Sequence, residues 1–140
     1  NDEREMLKLL YQTMRALIND KIPNRLIRYI YELKAICING EAPQVFQCVV
    51  CGDTERPGQF STLKGGKVCT RCMRDVYDGL ELDPSTWYTL QYIESAKVEH
   101  LYNFTVSDQV LRELAMVMGR YMDVYVDHQF KSLEILKLMT

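Results

Sequence analysis

The sequence predicts a mainly α domain into which a cysteine-rich module with short β-hairpin segments is inserted at about residues 44–80. Three observations carry this. Apolar residues recur at spacings of three and four on both sides of the insertion, the period of helices with one buried face. Between Gly40 and Asp83 that period disappears, and four of the five cysteines and five of the seven glycines fall there. Finally, 140 residues that are 47% apolar suffice for one core without disulfide staples.

The first helix is predicted over residues 4–18, with Met6, Leu9, Leu10, Met14, Leu17 and Ile18 on its buried face and Asn1 or Asp2 as its cap. A second follows over 24–38, with Leu26, Ile30, Leu33 and Cys37 on one stripe, so that Cys37 is a small core residue. Gly40 then favours a left-handed stop, and Pro43 keeps helix from resuming. Beyond the module, Asp83-Pro84 reads as an aspartate cap before a proline at the first helical position. Trp87, Leu90, Ile93 and Ala96 share the face of that third helix. A long pattern starts after Ser107, with Leu111, Leu114, Met118, Tyr121 and Tyr125 flanked by Val110, Val117 and Val124. A break at Asp127 is expected before a last short helix, Phe130 to Met139. The chain opens on Asn1, directly into a helical pattern, which suggests a fragment of a longer polypeptide.

The module reads Cys48-Val-Val-Cys51, seventeen intervening residues from Gly52 to Val68, then Cys69-Thr-Arg-Cys72. That spacing is expected of a four-thiolate zinc site. Two residues between ligands let both sulfurs of a pair reach one ion, and Gly52 permits the positive φ of such a knuckle. Four thiolates close the coordination sphere, so the Zn2+ is expected to fold the module and not to catalyse. Three readings compete: a disulfide scaffold, a redox Cys-x-x-Cys pair and a rubredoxin-like iron site. The odd cysteine count and missing secretory signal argue against the first, and the absent βαβ setting against the second. Against iron, Met73 rather than glycine follows the second pair, and the module sits among helices that such a carrier does not need.

Lys64, Lys67, Arg71 and Arg74 flank the two halves of the module and form a candidate phosphate-contacting patch, offset by Asp53, Glu55, Asp75 and Asp78. Gly65-Gly66-Lys67 is too short for a P-loop and reads as a hairpin turn. His100 and His128 are isolated from each other and from any acidic cluster, and no catalytic triad, paired-acid site or nucleophile elbow is present, so no enzyme activity is expected. The net charge of −2 hides nets of +1 for residues 1–43, +1 for 44–80 and −4 for 81–140. Tight nucleic-acid binding draws on a basic excess, which the chain as a whole lacks. No apolar stretch reaches the length of a membrane span, and the cytoplasm is the expected compartment.

The order Tyr31-Glu32-Leu33, Asn39-Gly40-Glu41-Ala42-Pro43, first knuckle, Phe60-Ser61, Gly65-Gly66-Lys67-Val68-Cys69 and Phe130-Lys131-Ser132-Leu133 resembles the C-terminal part of RecO, a bacterial mediator of DNA repair and recombination. The resemblance covers nearly the whole chain. It implies a non-enzymatic protein that binds single- and double-stranded DNA, anneals strands and works with RecR. It also implies a groove for the acidic C-terminal tail of single-strand-binding protein, while the OB-fold that supplies much of the family's DNA surface is absent from this chain. A groove of that kind needs an apolar floor with a cation at its rim. Arg25 and Arg28, three apart on the second helix, are the candidates. The alternatives are a generic zinc-stabilised protein-interaction domain and a rubredoxin-like electron carrier.

Overall fold

The computed structural model describes the backbone of residues 2–139 and the side chains of residues 2–126. The described residues form four helices, α1 (Asp2–Asn19), α2 (Asn24–Ile38), α3 (Pro84–Ser95) and α4 (Asp108–Met139), and a three-stranded sheet of β1 (Gly58–Ser61), β2 (Gly66–Cys69) and β3 (Leu80–Glu81). The mainly α class and the inserted module are as the sequence predicts.

The helical core is built from α2 outward. Leu26, Ile27, Ile30, Leu33 and Ile36 are essentially inaccessible and meet Leu90 and Ile93 of α3 and Val110, Leu114, Val117 and Met118 of α4. Side chains three and four apart lie on one face of a helix, so each pattern buries a single stripe. At the start of α3, Asp83 Oδ1 accepts from the Ser85 amide at 2.8 Å and Pro84 occupies the first turn, as expected of that pair. Cys37 is half-buried at the edge of the α2 stripe, its thiol directed to the Glu94 carbonyl at 3.5 Å, and burial pushes that thiol up.

Two expectations are corrected. The buried side of α1 is Leu9, Thr13 and Ala16 with Met6 beside them, packed on α2 and on a 3-10 turn, Val98–His100. Thr13 Oγ1 bonds to the Leu9 carbonyl at 2.7 Å and to the Tyr102 hydroxyl at 2.6 Å, so a polar residue sits where close approach matters more than bulk. Leu10, Met14, Leu17 and Ile18 point outward with Leu7 and Tyr11, and no described element covers this stripe. Asn1, the other expected cap, lies outside the described residues, and Asp2 is the first residue of the helix itself. The second correction concerns Asp127, where α4 does not break but runs on to Met139. A mid-helix aspartate costs only a few tenths of a kcal/mol, and neither glycine nor proline stands near to add to it. The His128 side chain lies outside the described residues.

The sheet order is β2-β1-β3, all antiparallel, with Phe60 of β1 opposite Lys67 on one side and Leu80 on the other. The turn between β1 and β2 is Thr62–Gly65, so Gly66 and Lys67, expected within the turn, already belong to β2. Gly66 has φ +150, and a Cβ there would strike the carbonyl oxygen of Gln44, which forms an isolated parallel bridge with it. Only glycine permits both that conformation and that approach. Phe60 is fully buried between Trp87 and Tyr121, with ring centroids 6.3 Å from each, and so fastens the module to the helices.

Candidate metal centre

The module has almost no apolar core of its own. Val45 and Phe60 are buried in the helical core, and the cluster the module keeps to itself is Cys48, Val68 and Cys69, with Val49, Cys72, Met73 and Val76 partly buried around them. What gathers it is the cysteines. One ligand atom from each of Cys48, Cys51, Cys69 and Cys72 lies within 4.8 Å of the other three, so the structure brings all four predicted ligands to one point.

The first knuckle forms because Gly52, at φ +77, lets the chain turn back, its amide donating to the Cys48 carbonyl at 2.9 Å. The turn aims the Val50 amide at Cys48 Sγ, and the Cys69 amide reaches the same sulfur, each at 3.4 Å. The second knuckle is the end of β2 running into a 3-10 turn, Thr70–Cys72. Cys51 Sγ lies 3.7 Å from Cys69 Sγ. Thiolates bonded to one ion at about 2.3 Å in a tetrahedron are separated by about 3.8 Å, so this edge fits a four-coordinate metal.

The electrostatics point the same way. Burial works against the Cys48 thiolate, but the amides of Cys69, Cys51 and Val50 outweigh it and bring the thiol down to about 6. Burial and the sulfurs of Cys51, Cys69 and Cys48 push Cys72 up to about 12. Without a cation the group holds protons on sulfur; a divalent ion at its centre supplies the charge that lets all four thiols ionise. Arg56, which the sequence reading missed, adds a cation beside the sulfurs. Its guanidinium pairs with Asp53 at 3.0 Å, and that carboxylate with nearby Cys69 and Cys51 holds it firmly protonated. The Asp53 carboxyl is held low mainly by the Arg56 and Glu55 amides. The available signal was the Asp-x-x-Arg spacing just after the first knuckle.

The four candidate phosphate ligands separate into two groups. Lys64, in the β1–β2 turn, and Arg71 and Arg74, at the second knuckle, are exposed. Lys67 instead faces the helical core side, its Nζ 5.6 Å from the centroid of the Trp87 ring, an arrangement that engages the cation internally. On α2, Arg25 and Arg28 are both exposed. Arg25 reaches the Tyr29 hydroxyl at 3.4 Å and borders an open depression of about 440 Å³ lined with Asp20, Lys21, Ile22, Pro23 and Asn24. Arg28 does not line it and pairs with Glu32 at 3.4 Å. A larger and more apolar depression, about 660 Å³, lies between α3 and α4 on Tyr88, Tyr92, Phe104, Val106 and Val110. The sequence did not reveal it, because the irregular segment of residues 103–107 forms its wall. His100 is exposed at the end of its 3-10 turn.

The model of the Recombination protein O C-terminal family matches residues 1–134. The chain belongs to that family. It is similar to curated proteins named DNA repair protein RecO: 31% identical over 121 residues to that of Acetivibrio thermocellus, covering 86% of this chain and 48% of the relative. The Thermoanaerobacter protein is 30% identical over 133 residues, covering 94% of this chain and 54% of the relative. That of Bacillus pumilus is 30% identical over 135 residues, covering 96% and 52%. The chain thus spans about half the length of the curated relatives it matches. No solved structure matches it. Among the described residues, no helix is long and apolar enough to cross a membrane.

Proposed function

We propose that this chain is the zinc-bearing helical part of a non-enzymatic DNA repair and recombination mediator of the RecO type, acting in the cytoplasm. The match of the family model to nearly the whole chain carries this reading. In it the unit is one helical domain with the module inserted at about 44–80, and the family's OB-fold lies outside it. Zn2+ is the metal, held by Cys48, Cys51, Cys69 and Cys72 in a site whose sulfur spacing and absence of an open position suit a structural ion. Single- and double-stranded DNA are the nucleic-acid partners, bound weakly by this part through exposed Lys64, Arg71 and Arg74, with Lys67 contributing less because Trp87 engages it. RecR and the acidic tail of single-strand-binding protein are the protein partners. Family membership weighs against a generic interaction domain and a rubredoxin-like carrier.

Docking of the tail is placed at Arg25 and Arg28, with support for Arg25 from the depression it borders. A peptide ending in an acidic stretch, a bulky apolar residue and a free carboxylate tests it. Arg25→Ala is expected to weaken binding roughly ten- to a hundredfold, the cost of one charge-assisted hydrogen bond. Arg28→Ala is expected to act less strongly, since Glu32 already occupies that guanidinium. Amidating the peptide terminus should reproduce the loss. Equal binding of free and amidated peptides, with both variants unchanged, rejects the α2 placement and leaves the apolar depression between α3 and α4 as the candidate.

A further inference from the structure

Two side chains at the outer end of the module are more exposed than a folded domain ordinarily leaves apolar groups of their size. Tyr77 is 91% accessible and Leu63 is 78% accessible. They are neighbours through a fixed clasp. The Asp78 carboxylate accepts from Ser61 Oγ at 2.6 Å and from the Leu63 amide at 2.9 Å, while the Lys64 amide donates to Ser61 Oγ at 3.0 Å. Burial opposes the ionised form of Asp78, but these donors outweigh it and hold the carboxyl low. The residue that follows Tyr77 is therefore tied to the β1–β2 turn that carries Leu63 and Lys64. On the other side, Arg120 of α4 donates to the Asp78 carbonyl at 3.4 Å.

The clasp has two consequences. It holds the backbone segments that carry Tyr77 and Leu63 together, so a ligand that meets both side chains has little backbone left to order. The Asp78 charge is taken up by these donors, while Lys64 in the same turn, Arg120 at the Asp78 carbonyl and Arg74, four residues earlier in sequence beside the exposed Asp75, make no ion pair among the described residues. An exposed ring with a small apolar neighbour and free cations at its edge matches what an unpaired nucleotide needs: a π-face for the base and positive charge for the phosphate.

We propose that Tyr77 and Leu63 form a stacking platform for unpaired bases, with Lys64, Arg74 and Arg120 contacting the adjoining phosphates. This rests on the DNA-binding reading above and assigns the single-strand contact to one ring. The Tyr77 ring takes the base and Leu63 supports its edge. A duplex, whose bases are already stacked on one another, uses the cations but not the ring.

The test measures binding of a fluorescent oligo-dT and of a hairpin duplex at several salt concentrations, for the parent, Tyr77→Ala, Tyr77→Phe and Lys64→Ala. Tyr77→Ala is expected to weaken oligo-dT binding roughly five- to a hundredfold, the effect of losing one aromatic stack, with an unchanged salt slope. Tyr77→Phe should bind as the parent does, and the duplex should not distinguish the three. Lys64→Ala should lower the salt slope by about one instead. Parent protein that binds neither DNA overturns the DNA reading and this platform together. Parent protein that binds oligo-dT while Tyr77→Ala matches it overturns the platform alone. Equal losses in Tyr77→Phe and Tyr77→Ala, or on single strand and duplex, also overturn it. If Tyr77→Ala spares oligo-dT but abolishes binding of the acidic peptide, the surface belongs to a protein partner and the proposal fails.

Discussion

Glu94 gives the sharpest prediction about stability. Its side chain on α3 is largely buried, its Oε2 has no hydrogen-bond partner among the described residues, and burial pushes the carboxyl up to about 8 even though the Lys34 charge acts in the opposite direction. Lys34 does not relieve it directly, because its buried ammonium is used by the carbonyls of Glu94 at 3.1 Å and Ala96 at 2.6 Å. In the unfolded chain the same carboxyl titrates near 4.5. Between those values the folded state holds a proton that the unfolded state has lost, so stability is fully present below the lower value and falls as pH rises to about 8, by at most about 1.4 kcal/mol per pH unit. The whole interval sets a ceiling of about 5 kcal/mol; relaxation around the one unpaired oxygen makes about 2 kcal/mol between pH 5 and pH 8 the working expectation. Glu94→Gln keeps the shape and removes the titration. Urea unfolding of parent and variant across that range, followed by Trp87 fluorescence, is expected to show nearly equal stability at the acid end and a variant advantage that grows toward pH 8. Parallel curves, or a parent that gains stability relative to the variant as pH rises, would refute the reasoning and mean that Glu94 is folded as a charged partner of Lys34.

Other consequences follow from the packing and the charges. Leu9→Ala, which empties a fully buried position on α1, is expected to cost about 2–5 kcal/mol in denaturant unfolding, whereas Ile18→Ala, at 81% exposure, should change stability by less than about 0.5 kcal/mol. Comparable losses at the two sites would show that the outward stripe of α1 is packed in solution. Replacing Arg71 or Arg74 by alanine should lower the salt slope of DNA binding by about one each without a shift in thermal midpoint. Lys67→Ala should instead destabilise the fold by about 0.5–1 kcal/mol through lost contact with Trp87, and a pure salt-slope effect there would place Lys67 in the DNA patch after all.

Legibility in the sequence tracked how local the determining physics was. The Asp83-Pro84 cap, the stripe of α2 and the cysteine pairs depend on residues within a turn or two of one another, and spacing reveals them. For α1 the period showed a helix but not which of two adjacent stripes is covered. Leu10, Met14, Leu17 and Ile18 are bulkier, yet the structure packs Leu9, Thr13 and Ala16, because small side chains and a bond to Tyr102 allow closer approach to α2 and the 98–100 turn. That choice is tertiary. Strand β3 was hidden for a similar reason: two residues paired to β1 carry no period of their own. Lys67 was grouped with the knuckle cations because it is close to them in sequence, while strand pairing opposite Phe60 turns it toward Trp87. Nothing in the sequence around Tyr77 and Leu63 announces that the Asp78 carboxylate ties their segments together.

In the proposed zinc site, Val45 and Phe60 anchor residues 44–80 to the helices, while one metal ion holds the two cysteine knuckles together. Elemental analysis of protein purified without chelator, paired with thiol titration in native buffer, tests this most directly. One zinc per chain is expected, with Cys48, Cys51, Cys69 and Cys72 unreactive until a chelator removes the ion, after which amide exchange rises at the two knuckles while α2, α3 and the anchoring Phe60 segment keep their protection. Protein that contains no zinc, or whose four module thiols titrate freely while residues 44–80 stay protected, would contradict it.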